Sequence, residues 1–580
     1  MVRPTPRAVP ARAAQPLPHR WQRWVVALFF GALLLGGWQL APDYGSYYDE
    51  ATCRESGQIS LVYLYECVPA RWLPARAAER LAATPPQAHL LQYRDRDYGV
   101  AFELPMTLLE KASGYTDLHD VLLLRHRSVF SVCWLGCWAV YWLASRRFGS
   151  RWLGLLAVAL LVLSPRLFAD FFYNAKDAVF LACFAIGTAT TVAFVRRPSG
   201  WHATAHALAG AVAIGVRPMA VLLPAATLGL LALRGLHGDY ANQSRRVGGN
   251  AALYLGLLVA FTIACWPYLW SSPAAHFWES LHSMGRFRWQ GVLLYSGRWL
   301  PPGAPTPWTY APEWIGITTP PLYLLGLVIS LGLLVRQLGR RSWRLYNSAG
   351  EWQDLLLWGL TLGPLVAVVV LRSVLYDGWR QLYFAYPSLL LLALGGLVAA
   401  WRWQPPRAAL APYWRGVVGA AVLASALVTG AKMVQLHPLE NLYFNALAGA
   451  HPEQRYEYDY WGLSLPQGLR WILAHDSRPA IQVQANLLAS CITGGYLLAP
   501  AEQQRLRIDF ALTPIDYFIT THRAHPGPYP AAIGPPVYTL RADDEGRRVF
   551  DIYRVNRAYP LKKLLPGLLD STAAAPTGHP

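Results

Sequence analysis

Charge is what this sequence has least of. Only 14% of its 580 residues are Asp, Glu, Lys or Arg, and the acidic ones are the scarcer, 33 against 51. With 54% of the residues hydrophobic, so small a charged fraction excludes an ordinary soluble protein of this length. Neither CxxC nor HExxH occurs, so no dedicated zinc site is predicted. No nucleotide-binding motif and no internal repeat is visible. The seven cysteines decide little. Cys133 and Cys137 sit one helical turn apart in an apolar run with no histidine beside them, which points to packing rather than metal. Cys53 and Cys67 share a loop where an oxidising compartment would permit a disulfide.

What is present is a series of apolar runs. A positive mean hydropathy, +0.23, fits a polytopic membrane protein. The candidate spans are 24–40, 121–144, 152–163, 178–195, 203–216, 220–233, 251–266, 322–335, 355–371, 389–400 and 416–434, about eleven in all. No A-x-A site follows the first, so it reads as an uncleaved anchor rather than a signal peptide. The formal charge of +18 suggests nucleic acid as a reflex. Here, however, the basic residues fill short gaps between spans, and topology explains them without it. With Arg3, Arg7, Arg12, Arg20 and Arg23 in the cytoplasm, alternate loops are all basic: Arg146-Arg147, Arg196-Arg197, Arg234 with Arg245-Arg246, the run 336–344, and Arg402 with Arg407. The 25 Trp and 31 Tyr suit the interfaces.

This layout predicts a loose segment 1–19, a membrane domain 20–434 with outer loops 41–120 and 267–319, an outer α/β domain 435–569, and a loose tail 570–580. In the outer domain, Ser464-Leu465-Pro466 opens a helix through Leu473. Segments 481–485 and 517–521 alternate as strands, and 537–542 with 547–555 flank a turn as a hairpin. Segment 98–111 has the pattern of a helix lying in the interface or packed on the domain.

Four charged groups end spans on the predicted outer face, and charge beside lipid is costly enough to suggest a site. In Tyr47-Tyr48-Asp49-Glu50-Ala51 a partly desolvated carboxylate can serve as general base towards a hydroxyl or amine. Loop carboxylates in water are the plainer reading. In Asn174-Ala175-Lys176-Asp177, Asn174 is expected to cap the fourth span and Asp177 to reach back as in a capping box. That outward helix end, with Lys176 beside it, suits an anion. Arg217-Pro218 repeats the arrangement at the sixth span, and Arg372, Asp377 and Arg380 precede the tenth. Capping and snorkelling are the alternative uses of these residues. His276, His282, Arg286 and Arg288 read as loop residues, and the aromatic runs 266–270 and 308–314 suit interface anchoring or sugar stacking.

At these residues the chain resembles bacterial glycosyltransferase family 39, the protein O-mannosyltransferase and aminoarabinose-transferase group with the GT-C fold. The resemblance runs through Tyr98-Gly99, Phe102-Glu103-Leu104, Arg125-His126-Arg127, Leu163-Ser164-Pro165-Arg166 and Phe172-Tyr173-Asn174-Ala175-Lys176-Asp177. It continues in 266–270, Pro307-Trp308-Thr309-Tyr310-Ala311-Pro312, Ile317-Thr318-Thr319-Pro320 and His437-Pro438-Leu439-Glu440. It ends with Tyr443-Phe444-Asn445 and Asp459-Tyr460-Trp461-Gly462-Leu463-Ser464. Ala175 departs from the Pro expected there. The resemblance implies a polytopic GT-C-like fold at the bacterial inner membrane, with the site on the periplasmic side. It implies Asp49 as base with Glu50 its neighbour, a polyprenyl-phosphate-linked sugar as donor, and no metal or other cofactor. Lys176, Arg217 and Arg380 would hold the phosphate, supported by Asn174, Asp177, Asp377 and Tyr48. The acceptor (protein, lipid or glycan) stays open. A transporter would place its charges near the midplane on broken helices, and a non-catalytic scaffold would use the outer domain alone. Substitution of Asp49 separates enzyme from scaffold, and accumulation in vesicles identifies a transporter.

Overall fold

The computed structural model describes residues 20–72, 89–241, 243–285, 291–340, 345–406, 411–508, 514–525, 528–543 and 546–556. The segments 1–19 and 570–580, residues 557–569, Arg286, Arg288, Arg407 and 341–344 lie outside the described residues. Among the described residues nine helices are long and apolar enough to cross a membrane. They are Trp21–Asp43, Leu118–Phe148, Asp177–Arg196, Pro218–Leu236, Ser244–Cys265, Pro321–Gly339, Ala349–Val370, Arg380–Arg402 and Ala411–Leu436.

Two of the about eleven expected runs are not among these nine. The third stops at Val162, and the helix Pro165–Tyr173 leaves it at 77°. Pro165 forces this: its ring crowds Ser164, which adopts an extended conformation, φ −103° and ψ 94°. The 12 residues before the break reach only about 18 Å at 1.5 Å each, short of a hydrocarbon core of about 30 Å. The bent pair makes a tenth crossing only if counted as one. The fifth run is the 17-residue helix Gly200–Val216.

Arg380–Arg402 runs through the middle of the bundle, with 89% of its apolar window buried, whereas Pro321–Gly339 and Ala411–Leu436 bury 11% and face outward. Pro321–Gly339 still crosses the central helix backbone to backbone. A Cβ on Gly396 would lie 1.9 Å from the Gly326 carbonyl oxygen, so only small residues permit the crossing. One end of the bundle carries basic pairs, Arg147 with Asp354 (Nε–Oδ1 2.6 Å) and Arg234 with Asp239 (2.8 Å). The other end gathers the N-termini of Asp177–Arg196, Pro218–Leu236 and Arg380–Arg402.

The segment 98–111 forms the helix Glu103–Ser113 with its carboxylates turned inward. Arg125 is buried between Glu103 and Glu110 (Nη1–Oε1 2.8 Å), and Arg54 takes the other oxygen of Glu110 at 2.9 Å. Leu108 and Leu109 are left exposed. Cys53 and Cys67 are both free, which corrects the disulfide considered above. They belong to one helix, Glu50–Glu66 and its C-cap. At 1.5 Å per residue this separates them by about 21 Å, far beyond the roughly 7 Å a disulfide spans.

Segment 437–464 lies across the charged end and holds the C-terminal domain to it. Arg166 Nε donates to the Tyr443 carbonyl at 2.8 Å and its guanidinium stacks on Phe444, while Asn445 Nδ2 donates to the Thr319 carbonyl at 2.6 Å. The helix Leu465–His475 then opens the domain, with Leu465, Leu469 and Ile472 fully buried. Seven short strands occur in the chain's described part: β1 (Leu293–Tyr295) and β2 (Arg298–Leu300) form a hairpin in the segment 267–319. The domain sheet has the order β4-β3-β5-β7-β6, from β3 (Ile481–Ala485), β4 (Leu506–Arg507), β5 (Tyr517–Thr520), β6 (Tyr538–Arg541) and β7 (Arg548–Arg554). β3 pairs in parallel with β4 and β5; β7 runs antiparallel to β5 and β6. The two strands and the hairpin read from sequence stand where expected.

Candidate active site

The predicted charged groups converge at one end of the bundle, where a row of alternating charges runs across the helix ends. Arg217 Nη2 meets Asp177 Oδ1; Arg380 Nη1 meets Asp177 Oδ2 at 2.9 Å and its Nη2 meets Asp377 Oδ2 at 3.3 Å; Arg523 Nη2 closes on Asp377 Oδ1. Arg217, Arg380, Asp177 and Asp377 are all buried. Burying an ion costs several kcal/mol unless a partner answers it, and the alternation supplies one to each. Asp377 and Gly378 both have left-handed backbone, φ 56° and 72°. This turns the chain sharply enough to put the Asp377 carboxylate between Arg380 and Arg523. The Arg380 guanidinium also stacks over Trp461, 4.9 Å from the ring centroid.

Asn174 does not cap in the expected way. The long helix begins at Asp177 with Lys176 as its cap residue, and Asn174 ends the preceding short helix. Its Oδ1 still accepts the Asp177 backbone N–H at 2.7 Å, so one orphan donor of the helix end is satisfied. Asp177 reaches back only to the Asn174 side chain, whose Nδ2 donates to Oδ2 at 3.5 Å, and not to a backbone N–H as in a capping box; Arg217 and Arg380 hold its two oxygens.

Lys176 differs from the arginines. Its ammonium lies 4.0 Å from the Tyr98 ring centroid and has no carboxylate within ion-pair distance among the described residues. Burial pulls its pKa down, but Cys53, Tyr98 and Asp49 outweigh that and hold it above the ordinary lysine value. Asp49 is therefore close enough to act on Lys176 without touching it. Asp49 is half-buried at the N-cap of Glu50–Glu66, and its carboxylate makes no hydrogen bond or ion pair to the described residues. Its neighbour Glu50 is engaged: Ser46 Oγ donates to it at 2.6 Å and His126 Nε2 lies 3.2 Å away. Glu50 thus fixes the turn that presents Asp49. Tyr48 is exposed beside it, its pKa raised by burial of the hydroxyl while Arg523 pulls the other way.

Sequence reasoning missed four groups here. Arg523 and Glu457 come from the C-terminal part. Glu457 Oε2 accepts the Asp377 backbone N–H at 3.0 Å, and burial together with the Asp377 charge pushes its pKa up to about 8. Asp377 is itself raised, first by burial, against the pull of Arg523 and Arg380. Asp95 and Tyr98 come from the segment 41–120, and Asp95 is raised by burial with Lys176 opposing. Only the wealth of aromatics around 456–461 could have hinted at the first two. Other candidates stay apart. Arg372 is exposed, and His276 stacks on Tyr268 at 4.1 Å while its Nδ1 is bound to the Tyr268 carbonyl. Trp266 is buried in the core, whereas Trp308 is 70% exposed.

The arrangement can bind an anion at Lys176 and offer a free carboxylate beside it. The arginines set the positions of the helix ends, since each already answers a carboxylate. No group of three or more His, Cys, Asp or Glu with metal-holding geometry occurs among the described residues.

No family model matches the chain, and no curated protein matches it. Among solved structures the chain is similar to ArnT from Cupriavidus metallidurans in the apo state, with 16% identity over 92% of this chain and 98% of that one, TM-score 0.46. It is also similar to ArnT from Cupriavidus metallidurans bound to undecaprenyl phosphate, with 15% identity over 93% and 99%, TM-score 0.44. Likeness at this level says nothing of substrate or mechanism.

Proposed function

We propose that this chain is a membrane glycosyltransferase of the hexosyltransferase type. It would move a sugar from a polyprenyl-phosphate donor to an acceptor on the outer side of the bacterial inner membrane. The observation that carries the reading is the free Asp49 carboxylate beside the free Lys176 ammonium, at the end of an apolar bundle. A phosphate on a long apolar tail suits that position, since the tail lies along the bundle while the phosphate meets Lys176. The order of the motifs through the sequence supports the same reading.

In the reaction the acceptor oxygen bonds to the anomeric carbon as the bond from that carbon to the phosphate oxygen breaks. The electron pair leaves with the polyprenyl phosphate, and the acceptor proton passes to Asp49. Charge that develops on the leaving phosphate is answered by Lys176, a fixed cation held where little water competes. A single displacement of this kind inverts the anomeric configuration.

The test is turnover of radiolabelled polyprenyl-phosphate sugars by the purified protein in lipid. Release of polyprenyl phosphate with inversion at the transferred sugar is expected. A protein that binds none of these donors and consumes none would overturn the reading.

A further inference from the structure

A cavity of about 500 Å³ lies between the C-terminal domain, hairpin β1-β2 and segment 453–459, within the range of about 300–1,000 Å³ usual for small-ligand sites. It is separate from the membrane bundle yet shares a wall with the charged row. Arg523 lines it while ion-pairing with Asp377, and Glu457 lines it while accepting the Asp377 N–H. Arg523 also acts on Tyr48, the neighbour of Asp49. A ligand in this cavity would sit against the residues that flank the proposed base.

Its lining says what that ligand is. Trp299, Tyr456, Tyr458, Tyr529 and Tyr553 provide aromatic rings. The cationic groups are answered within the protein: Arg523 by Asp377, and both His522 (2.8 Å) and Arg548 (3.1 Å) by Asp551. The carboxylates of Glu453, 3.2 Å from His451, and of Asp459, held by Leu463 N–H and Ser464, also line it. Burial and the Asp377 charge raise the pKa of Glu457 above the ordinary carboxylate value. The charge left over is acidic, which gives an anionic ligand no attraction, and the polar walls do not suit an acyl chain. Aromatic faces stack on the C–H face of a pyranose ring, and planar polar groups at their edges match its hydroxyls. Glu453 and the exposed Gln454 supply polar side chains on this wall.

We infer that this cavity is the acceptor-side site and holds the sugar rings of an uncharged saccharide, whose hydroxyl is presented past Arg523 to Asp49. The inference rests on the glycosyltransferase reading for its reaction but not for its binding. In the reaction the saccharide hydroxyl oxygen gains the bond to the anomeric carbon and loses its proton to Asp49, and polyprenyl phosphate departs.

The test is binding of neutral tetrasaccharides of glucose, mannose and N-acetylglucosamine to the whole protein in lipid nanodiscs, followed by saturation-transfer NMR without any donor. At least one is expected to bind. Ala531→Trp, which fills the cavity from an exposed position on its rim, is expected to weaken binding by about tenfold or more. Trp299→Ala, which removes a stacking face, should weaken it while the folded protein keeps its melting temperature. Donor hydrolysis, measured alongside, should be unchanged in both variants. Binding without donor turnover would sink the glycosyltransferase reading and leave the saccharide site standing. Donor turnover with no tetrasaccharide bound, or with binding untouched by Ala531→Trp, would overturn the inference, as would binding of an unglycosylated peptide in the same cavity.

Discussion

Replacing Lys176 by methionine separates a cation that is uncompensated among the described residues from the arginines that look equivalent in sequence. Lys176 contacts the Tyr98 ring at 4.0 Å and answers no carboxylate within ion-pair distance among the described residues. Loss of that cation–π contact should cost about 1 kcal/mol of stability. Methionine keeps the length and most of the apolar stem, so the fold should survive. A bond from an ammonium to a phosphate contributes about 1.5–3 kcal/mol, so the donor Kd or KM should rise roughly 10- to 150-fold. Arg217→Gln is the contrasting variant. It breaks a buried pair with Asp177, a change that costs about 3–5 kcal/mol when a charge is left unanswered, with the lower figure expected because Arg380 still holds Asp177. Donor KM by initial rates and thermal unfolding in the same lipid, for both variants, make the comparison. The reasoning is refuted if Lys176→Met melts far below wild type with an unchanged donor KM, or if Arg217→Gln weakens donor binding at full stability.

Three further outcomes follow from the same geometry. Asp177→Asn and Arg217→Gln should be strongly non-additive, the double variant losing at least 1 kcal/mol less than the sum of the singles in a denaturant series; additivity would show that the pair does not form. Glu457 has a pKa of about 8 against an ordinary 4.5, so between those values the folded protein keeps a proton that the unfolded chain releases, and stability falls as pH rises through that window. Glu457→Gln should remove most of that decline, on the order of a few kcal/mol, in melting curves taken across it; an unaltered slope would place the titration elsewhere. Gly396→Leu should prevent Pro321–Gly339 from packing on the central helix, because its Cβ would fall 1.9 Å from the Gly326 carbonyl oxygen. The expected result is a protein that does not survive purification in detergent, whereas Gly332→Leu, on an open helix face, does.

The ends of the spans were legible because a charged residue next to an apolar run has few places to go. Asp49, Lys176, Asp177, Arg217 and Arg380 were picked out in this way, and the structure brings them to one end of the bundle. Their partners were not legible. Asp377 pairs with Arg523, 146 residues later, and no periodicity or spacing carries that information. The capping box failed because a tertiary pair outcompeted a local one: two guanidinium groups hold Asp177 more strongly than a backbone N–H would. Segment 98–111 left open a helix in the interface or one packed on the domain, and the second holds through polar contacts that the apolar pattern does not show. Apolar residues normally mark the buried side of a helix, but Arg125 recruits Glu103 and Glu110 and turns Leu108 and Leu109 outward. Ser164-Pro165, by contrast, was in plain view as a helix breaker, and reading 152–163 as a full span gave hydropathy too much weight over the local steric rule. In the C-terminal part the alternating runs 481–485, 517–521 and 547–555 were enough for strands. The two-residue β4 was too short to show a pattern.

The central claim is that Asp49 takes the proton of the acceptor, and one comparison tests it most directly. Single-turnover transfer from a radiolabelled polyprenyl-phosphate sugar is measured for wild type and Asp49→Asn, with donor affinity determined separately on both. The account predicts a rate lower by roughly a hundred- to ten-thousand-fold, with donor affinity and melting temperature essentially unchanged. Transfer at the wild-type rate by Asp49→Asn would contradict it.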